Sequence, residues 1–182
     1  MSAAIRPACP EDVARIAALH VTAWHETFRG LLSEAVIAAQ NQAKREALWR
    51  ARLDSALPDS ALFVAEEGGP GGPLVAFGAC GRRRDDLAGL SLPGEFHALY
   101  VLRRAQRAGI GGALMRRMAA AMLDRGLGGA SLWVLRGNLA ARAFYTELGG
   151  EVVATRENAE LGGAPEVAFA WHDLRGLAVP RE

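Results

Sequence analysis

This 182-residue chain is poor in cysteine, has almost no net charge and has no long apolar run. Its two cysteines, Cys9 and Cys80, stand far apart, with neither CxxC spacing nor a histidine pair at metal-ligand spacing. That excludes a disulfide scaffold and a zinc site and leaves two reduced thiols. The 21 basic and 20 acidic residues cancel to a formal charge of +1, so no global field draws the protein to nucleic acid or to an anionic membrane. Nowhere do about eighteen apolar residues follow one another, and the chain does not open on a basic segment followed by an apolar core, so neither a membrane span nor a signal peptide is expected. A cytoplasmic protein without a metal follows, with small molecules or polypeptides as partners.

A hydrophobic share of 51% and a charged share of 23% suit one domain with a real core. We expect it to span residues 1–176, followed by a loose tail over 177–182. A short strand at 3–8 precedes a helix opened by Pro10, Glu11 and Asp12, with Val13, Ile16, Ala17, Val21 and Trp24 at helical spacing, and Arg29-Gly30 ends it. The pattern predicts a second helix over 33–53 with Ser33 as its cap. Strands at 62–65 and 74–80 flank a Gly/Pro cluster that suits a hairpin. Residues 81–94, with Arg82-Arg83-Arg84-Asp85-Asp86, read as a solvated loop, since opposite charges sit together there.

From the strand at 97–101 the chain passes through a glycine-rich turn into a helix carrying Ile110, Leu114, Met118 and Met122. A strand at 130–135 and a helix over 138–148 follow. Strand, helix, strand implies a parallel crossover. Runs at 151–155 and 166–171 complete the sheet as a hairpin around Gly162, Gly163 and Pro165.

The turn from Gln106 to Gly112 joins a strand to a helix start, where unpaired N–H groups and the helix dipole bind phosphate without a basic side chain. It ends Gly111-Gly112-Ala113, without the lysine and hydroxyl of a nucleotide-hydrolysing loop. A dinucleotide fingerprint would place an acidic residue at the end of the next strand, and the 130–135 strand ends without one, so a nicotinamide enzyme is a distant alternative. Gly111 and Gly112 each cost about 0.8–1 kcal/mol relative to alanine inside a helix. Close approach of the backbone to a ligand explains them, and close helix–sheet packing is the competing explanation.

Gln106-x-x-Gly109-x-Gly111 after the strand His97-Ala98-Leu99-Tyr100-Val101 resembles the cofactor-binding motif of the GNAT superfamily of acyl-CoA-dependent N-acetyltransferases. The run from Asn138 through Arg142 and Phe144-Tyr145 to Leu148-Gly149-Gly150 is similar to that family's next motif. The resemblance implies an α+β fold in three layers: a mixed, mostly antiparallel sheet of six or seven strands with a central splay and flanking helices. It implies acetyl-CoA as cosubstrate. The pyrophosphate would lie on Gln106, Arg107, Ala108, Gly109, Ile110, Gly111 and Gly112, with Arg107 adding charge, and the pantetheine arm would pair with Leu99, Tyr100 and Val101. It also makes Asn138 and Arg142 candidate cofactor contacts, and Trp24, Thr27, Phe28, Arg29 and the loop 157–165 candidate contacts to an amine-bearing acceptor. The stretch 23–31 resembles a variant recurrent among bacterial members of unassigned substrate.

Asn138, Arg142 and Tyr145 share one helix face by spacings of four and three. With an ordinary pKa of about 10, Tyr145 is protonated at neutral pH and suits protonation of a departing thiolate. Glu95 and His97 share a strand face by the two-residue period and are the candidate bases for the incoming ammonium. The expected reaction is direct attack by the amine in a ternary complex. A non-catalytic acyl-CoA sensor is the alternative of another class. The acceptor's identity stays open, as does the oligomeric state, a homodimer included.

Overall fold

A computed structural model describes residues 3–55, 59–84 and 90–179. Seven strands form one sheet in the order β1-β2-β3-β4-β5-β7-β6. They are β1 (Ala3–Pro7), β2 (Ala61–Glu67), β3 (Leu74–Arg82), β4 (Gly94–Val101), β5 (Ala130–Leu135), β6 (Glu151–Asn158) and β7 (Ala164–Trp171). β4 and β5 are parallel, as the intervening helix α4 (Ile110–Leu123) requires, and the other neighbours pair antiparallel. The mixed, mostly antiparallel sheet agrees with the sequence reading.

Helix α1 (Val13–Phe28) and helix α3 (Gln42–Asp54) cover one face of β2 to β4, burying Val13, Ile16, Ala17 and Trp49 against Val64 and Phe77. On the opposite face, α4 and α5 (Leu139–Glu147) bury Leu114, Met115, Met118 and Tyr145 against Phe96, Leu132, Val134, Val167 and Phe169. Alternate β5 residues thus feed one core, as a two-residue period demands.

The single helix expected over 33–53 is two. Helix α2 (Glu34–Ala38) is capped by Ser33, whose hydroxyl accepts from the Val36 amide at 3.4 Å. Asn41 then adopts an extended conformation and its side chain accepts from the Lys44 amide at 3.0 Å, starting α3. The asparagine cap offered a local alternative to continued helix, and it won. β3 runs on to Arg82, so the expected loop starts later; Asp85 and Asp86 lie outside the described residues. The tail expected from Leu177 is also corrected. Leu177 belongs to α6 (Arg175–Ala178) and is buried in the core with Leu174, because an apolar pair past β7 finds the flank of α4. Residues 180–182 lie outside the described set. No helix among the described residues is long and apolar enough to cross a membrane.

An ion network pins β1 and the start of α1 to β2. The Arg6 guanidinium donates to both Asp12 oxygens at 2.6 and 2.9 Å and to Glu66 at 2.7 Å, and both carboxylates are buried. These bonds from Arg6 hold Asp12 and Glu66 below the usual carboxylate range. The stability they contribute is therefore full above the unfolded-state pKa near 4 and is lost as pH falls through the lowered native values. Arg6→Met leaves Asp12 and Glu66 with the longer contacts to Arg15 at 3.5 and 3.6 Å and with bonds from the Cys9 and Gly71 amides, and we expect the lost charge-assisted bonds to cost about 2 kcal/mol at pH 7. The deficit should narrow below about pH 4. Urea unfolding of both proteins across that range measures it.

Candidate active site

The site begins where β4 and β5 part. Their ladder consists of Gly94 opposite Ala130 and Glu95 opposite Ser131, after which the strands no longer pair. One step later β4 bulges: Cys80 of β3 faces Phe96 and Ala79 faces Ala98, leaving His97 as an extra residue. A bulge adds twist and resets the alternation of side chains. Phe96 accordingly packs toward α4, as do Leu99 and Val101, whereas Ala98 and Tyr100 pack toward α1 and α3.

Backbone direction follows from one bond. The Leu102 amide donates to the Val75 carbonyl of β3 at 2.9 Å, so by alternation Tyr100 and Ala98 also face β3. Leu99 and Val101 then turn their N–H and C=O groups into the gap beside β5. Tyr100, expected with them, has its backbone in the β3 ladder instead and contributes its ring to the α1–α3 side, 4.5 Å from His20 and stacked 5.5 Å from Phe77.

The gap leads to the glycine turn. Gln106 spends its amide on the Arg103 carbonyl at 3.2 Å, and its side chain closes the strand end by donating to the Val101 carbonyl at 3.1 Å. The amides of Arg107, Ala108, Gly109, Ile110, Gly111 and Gly112 have no hydrogen-bond acceptor among the described residues. Two residues in the left-handed region, Arg107 at φ 63° and Gly109 at φ 78°, curl these donors into a concave nest at the start of α4. Arg107 is the one non-glycine residue with positive φ among the described residues, a strain concentrated at the nest.

The glycines divide the work differently from expectation. Gly109 has open space around it and is required by its φ, whereas a Cβ on Gly111 would lie 3.3 Å from the Phe144 ring and 3.8 Å from Val101. Gly111 thus lets α4 sit against α5 and β4, the packing explanation rather than the ligand one. The Arg116 guanidinium lies against Gly112, bringing a charge to the nest that the sequence reading missed. The signal was its i+4 position, since helical side chains lean toward the N-terminus.

Across the gap, Asn138 caps α5 by accepting from the Ala141 amide at 3.2 Å. Arg142 folds back to the Arg136 carbonyl at 3.0 Å. Tyr145 is buried beside Phe144, Phe169 and Trp171, and burial pushes its hydroxyl pKa above the ordinary value, keeping it protonated. Its hydroxyl makes no hydrogen bond among the described residues.

On the other face of the parted strands lies a cavity of about 370 Å³, lined by Glu95, His97, Arg84, Trp133, Arg156 and Glu166. Burial raises the Glu95 carboxyl, but bonds from the Arg84 side chain and amide outweigh it and hold the group ionised. The His97 ring is fully engaged. Arg52 donates to Nδ1 at 2.8 Å, which places the ring proton on Nε2, 3.1 Å from the Arg82 carbonyl. Burial, then the field of Arg84, lowers its pKa to about 4. Glu166, buried on β7, accepts from Arg156 at 2.7 Å and Asn158 at 3.0 Å, and Arg156 stacks 4.0 Å above Trp133. None of Arg52, Arg84, Trp133, Arg156 and Glu166 was a candidate from sequence; Glu166 alone carried a signal, an acid in an apolar strand.

The candidate acceptor residues divide. Trp24 is buried with Phe28 4.4 Å away, and Thr27 is half-buried. Arg29 is exposed and lines a separate depression on the outer side of α1 with Arg103. In the loop 157–165, Gly162 at the hairpin turn lies against Val36 of α2. Cys80, whose thiol burial pushes up to about 12, is inert in the core.

The family model for the acetyltransferase (GNAT) family matches residues 22–150, more than half of the chain. The chain belongs to the GNAT acetyltransferase family. Among curated relatives it is 30% identical over 175 residues to the "Uncharacterized N-acetyltransferase YuaI" of Bacillus subtilis, covering 95% of each chain. It is 28% identical to the "Probable N-acetyltransferase Rv2775" of Mycobacterium tuberculosis, covering 97% of this chain and 88% of that one. Its fold matches the PaiA N-acetyltransferase of Thermoplasma acidophilum, solved with coenzyme A, at a TM-score of 0.73 and 21% identity over 94% of this chain and all (100%) of that one. It also matches yncA of Salmonella typhimurium, solved with acetyl-CoA, at 0.69 and 20% identity over 100% and 99%. The seven-stranded sheet with its parted centre is the GNAT fold.

The histidine geometry is directly checkable. Nitrogen NMR of the His97 ring should show the Nε2–H tautomer with no titration between pH 8 and about pH 5. A midpoint near 6.5 would contradict the Arg52 bond.

Proposed function

We propose that this GNAT acetyltransferase moves the acetyl group of acetyl-CoA to a primary amine of a small molecule or polypeptide by direct attack in a ternary complex. The observation that carries this reading is the continuity of the parted strands with a helix start whose amides from 107 to 112 have no acceptor among the described residues. Two solved relatives hold coenzyme A or acetyl-CoA, which supports the same ligand here. The donor set fits it: six amides with the α4 dipole behind them and Arg116 beside them suit a pyrophosphate. The Leu99 N–H and C=O and the Val101 N–H, with the Val101 carbonyl already accepting from Gln106, offer alternating donors and an acceptor for an amide-bearing arm.

Acetyl-CoA supplies an electrophilic thioester carbonyl and a thiolate leaving group. Tyr145 takes the part of the acid that donates to the sulfur in this reading, which its burial supports by keeping it protonated. On the amine side an ammonium must lose a proton. His97 has its lone pair turned to Arg52, so of the two candidates Glu95 takes the part, drawing the ammonium with its ionised carboxylate and passing the proton to water. Alignment of the two reactants in the gap supplies most of the acceleration.

An amine panel with acetyl-CoA, read by free thiol and product mass, tests the reading; binding of CoA with no amine-dependent thiol release would defeat it. In the same assay Tyr145→Phe should lower kcat about a hundredfold and leave CoA affinity nearly unchanged. Gly109→Val, which strains the nest, should weaken CoA binding about tenfold, the worth of one charge-assisted hydrogen bond. Calorimetry with CoA separates the two effects.

A further inference from the structure

Three side-chain nitrogens on the α1–α3 side of β4 are sealed from solvent without a partner among the described residues: His20 Nε2, Trp24 Nε1 and Arg45 Nε. All three are donors. Trp49 donates to His20 Nδ1 at 3.1 Å, which puts the His20 proton on Nε2, and indole and guanidinium nitrogens only donate. They form one group: the Arg45 guanidinium carbon lies 5.0 Å from the Trp24 ring centre, and the His20 ring lies 6.3 Å from Trp24 and 4.5 Å from Tyr100. His20 is 3% and Trp24 7% exposed.

A buried donor without an acceptor costs about 1–3 kcal/mol, so three in one place call for an acceptor. One water satisfies them poorly, because it accepts about two bonds and must then place its own hydrogens on acceptors. A carboxylate accepts about four, donates none and brings the charge that Arg45 lacks among the described residues.

The cluster adjoins the reaction site. The His20 ring lies 4.5 Å from that of Tyr100 on β4, the strand that also carries Glu95. Glu166 and Glu95 line the cavity beside the parted strands. The open side of β4 thus presents donors without a partner among the described residues toward α1 and α3 and, toward β7, two buried acids each already bonded to an arginine. An acceptor that carries a carboxylate supplies what those donors lack, and its ammonium group is the part suited to the acids.

We propose that the acceptor is an amino acid or a close analogue, its carboxylate held by Arg45, Trp24 Nε1 and His20 Nε2 and its amine directed to Glu95 and the thioester. This rests on the acetyl-transfer reading above. Entry is past Arg45, which is half-buried.

The test is a set of matched trios, each an amino acid, its amide and its decarboxylated amine, built on alanine, leucine, methionine, phenylalanine, histidine and glutamate. With acetyl-CoA, the best acid should exceed its amide and its amine by about tenfold or more in kcat/KM. Trp24→Phe, which keeps the ring and removes the N–H, and Arg45→Gln should each shrink that preference through KM, with CoA affinity unchanged. Amides or amines acetylated as well as the acids would overturn the proposal and leave the transferase reading standing, as would an acid preference that survives both substitutions. If CoA binds and no amine in the set or in a peptide panel is acetylated, the transferase reading itself fails, and the acceptor assignment falls with it.

Discussion

The structure depends on the early parting of β4 from β5. Two paired positions hold the strands together, and the extra residue at His97 then twists β4 away. Had the ladder continued, Leu99 and Val101 would spend their backbone groups on β5 and no gap would lead to the start of α4. The same bulge turns Glu95 and His97 toward one face and Phe96 toward the other, so it separates the cavity lined by Glu95 and His97 from the core that holds Tyr145.

Charge in the cavity is arranged by mutual restraint. Arg84 keeps Glu95 ionised despite burial, and Arg52 occupies the lone pair of His97. Arg156 and Asn158 hold Glu166. These bonds orient the acids and offset their charge, while the donors of His20, Trp24 and Arg45 toward α1 and α3 have no partner among the described residues. Fixed dipoles and charges of this kind need no reorganisation when charge develops in a reaction, which is how a polar site on a rigid sheet assists group transfer.

Much of the frame was legible in the sequence. The order of strands and helices followed from two- and four-residue periodicities, and the resemblance of the glycine turn and of the Asn138–Tyr145 stretch anticipated the family and its fold. The break between α2 and α3 was also written there, in Asn41, but a cap competes weakly against helical periodicity when only local sequence is read. Leu177 was misassigned because an apolar residue near a chain end reveals its partner only once α4 is in place.

The sequence by itself determined the local elements, the strand-to-helix turn and the pairing of Gly109 with a left-handed conformation, because these rest on interactions within a few residues. The tertiary structure alone decided that Gly111 faces Phe144, that the His97 lone pair is taken by Arg52, that Tyr100 turns its backbone to β3, and that the sealed donors of His20, Trp24 and Arg45 gather on one side of β4 without a partner among the described residues. Each of those contacts joins residues distant in the chain. Their burial, proton positions and charge balance exist only after the sheet has twisted and the helices have docked on its two faces.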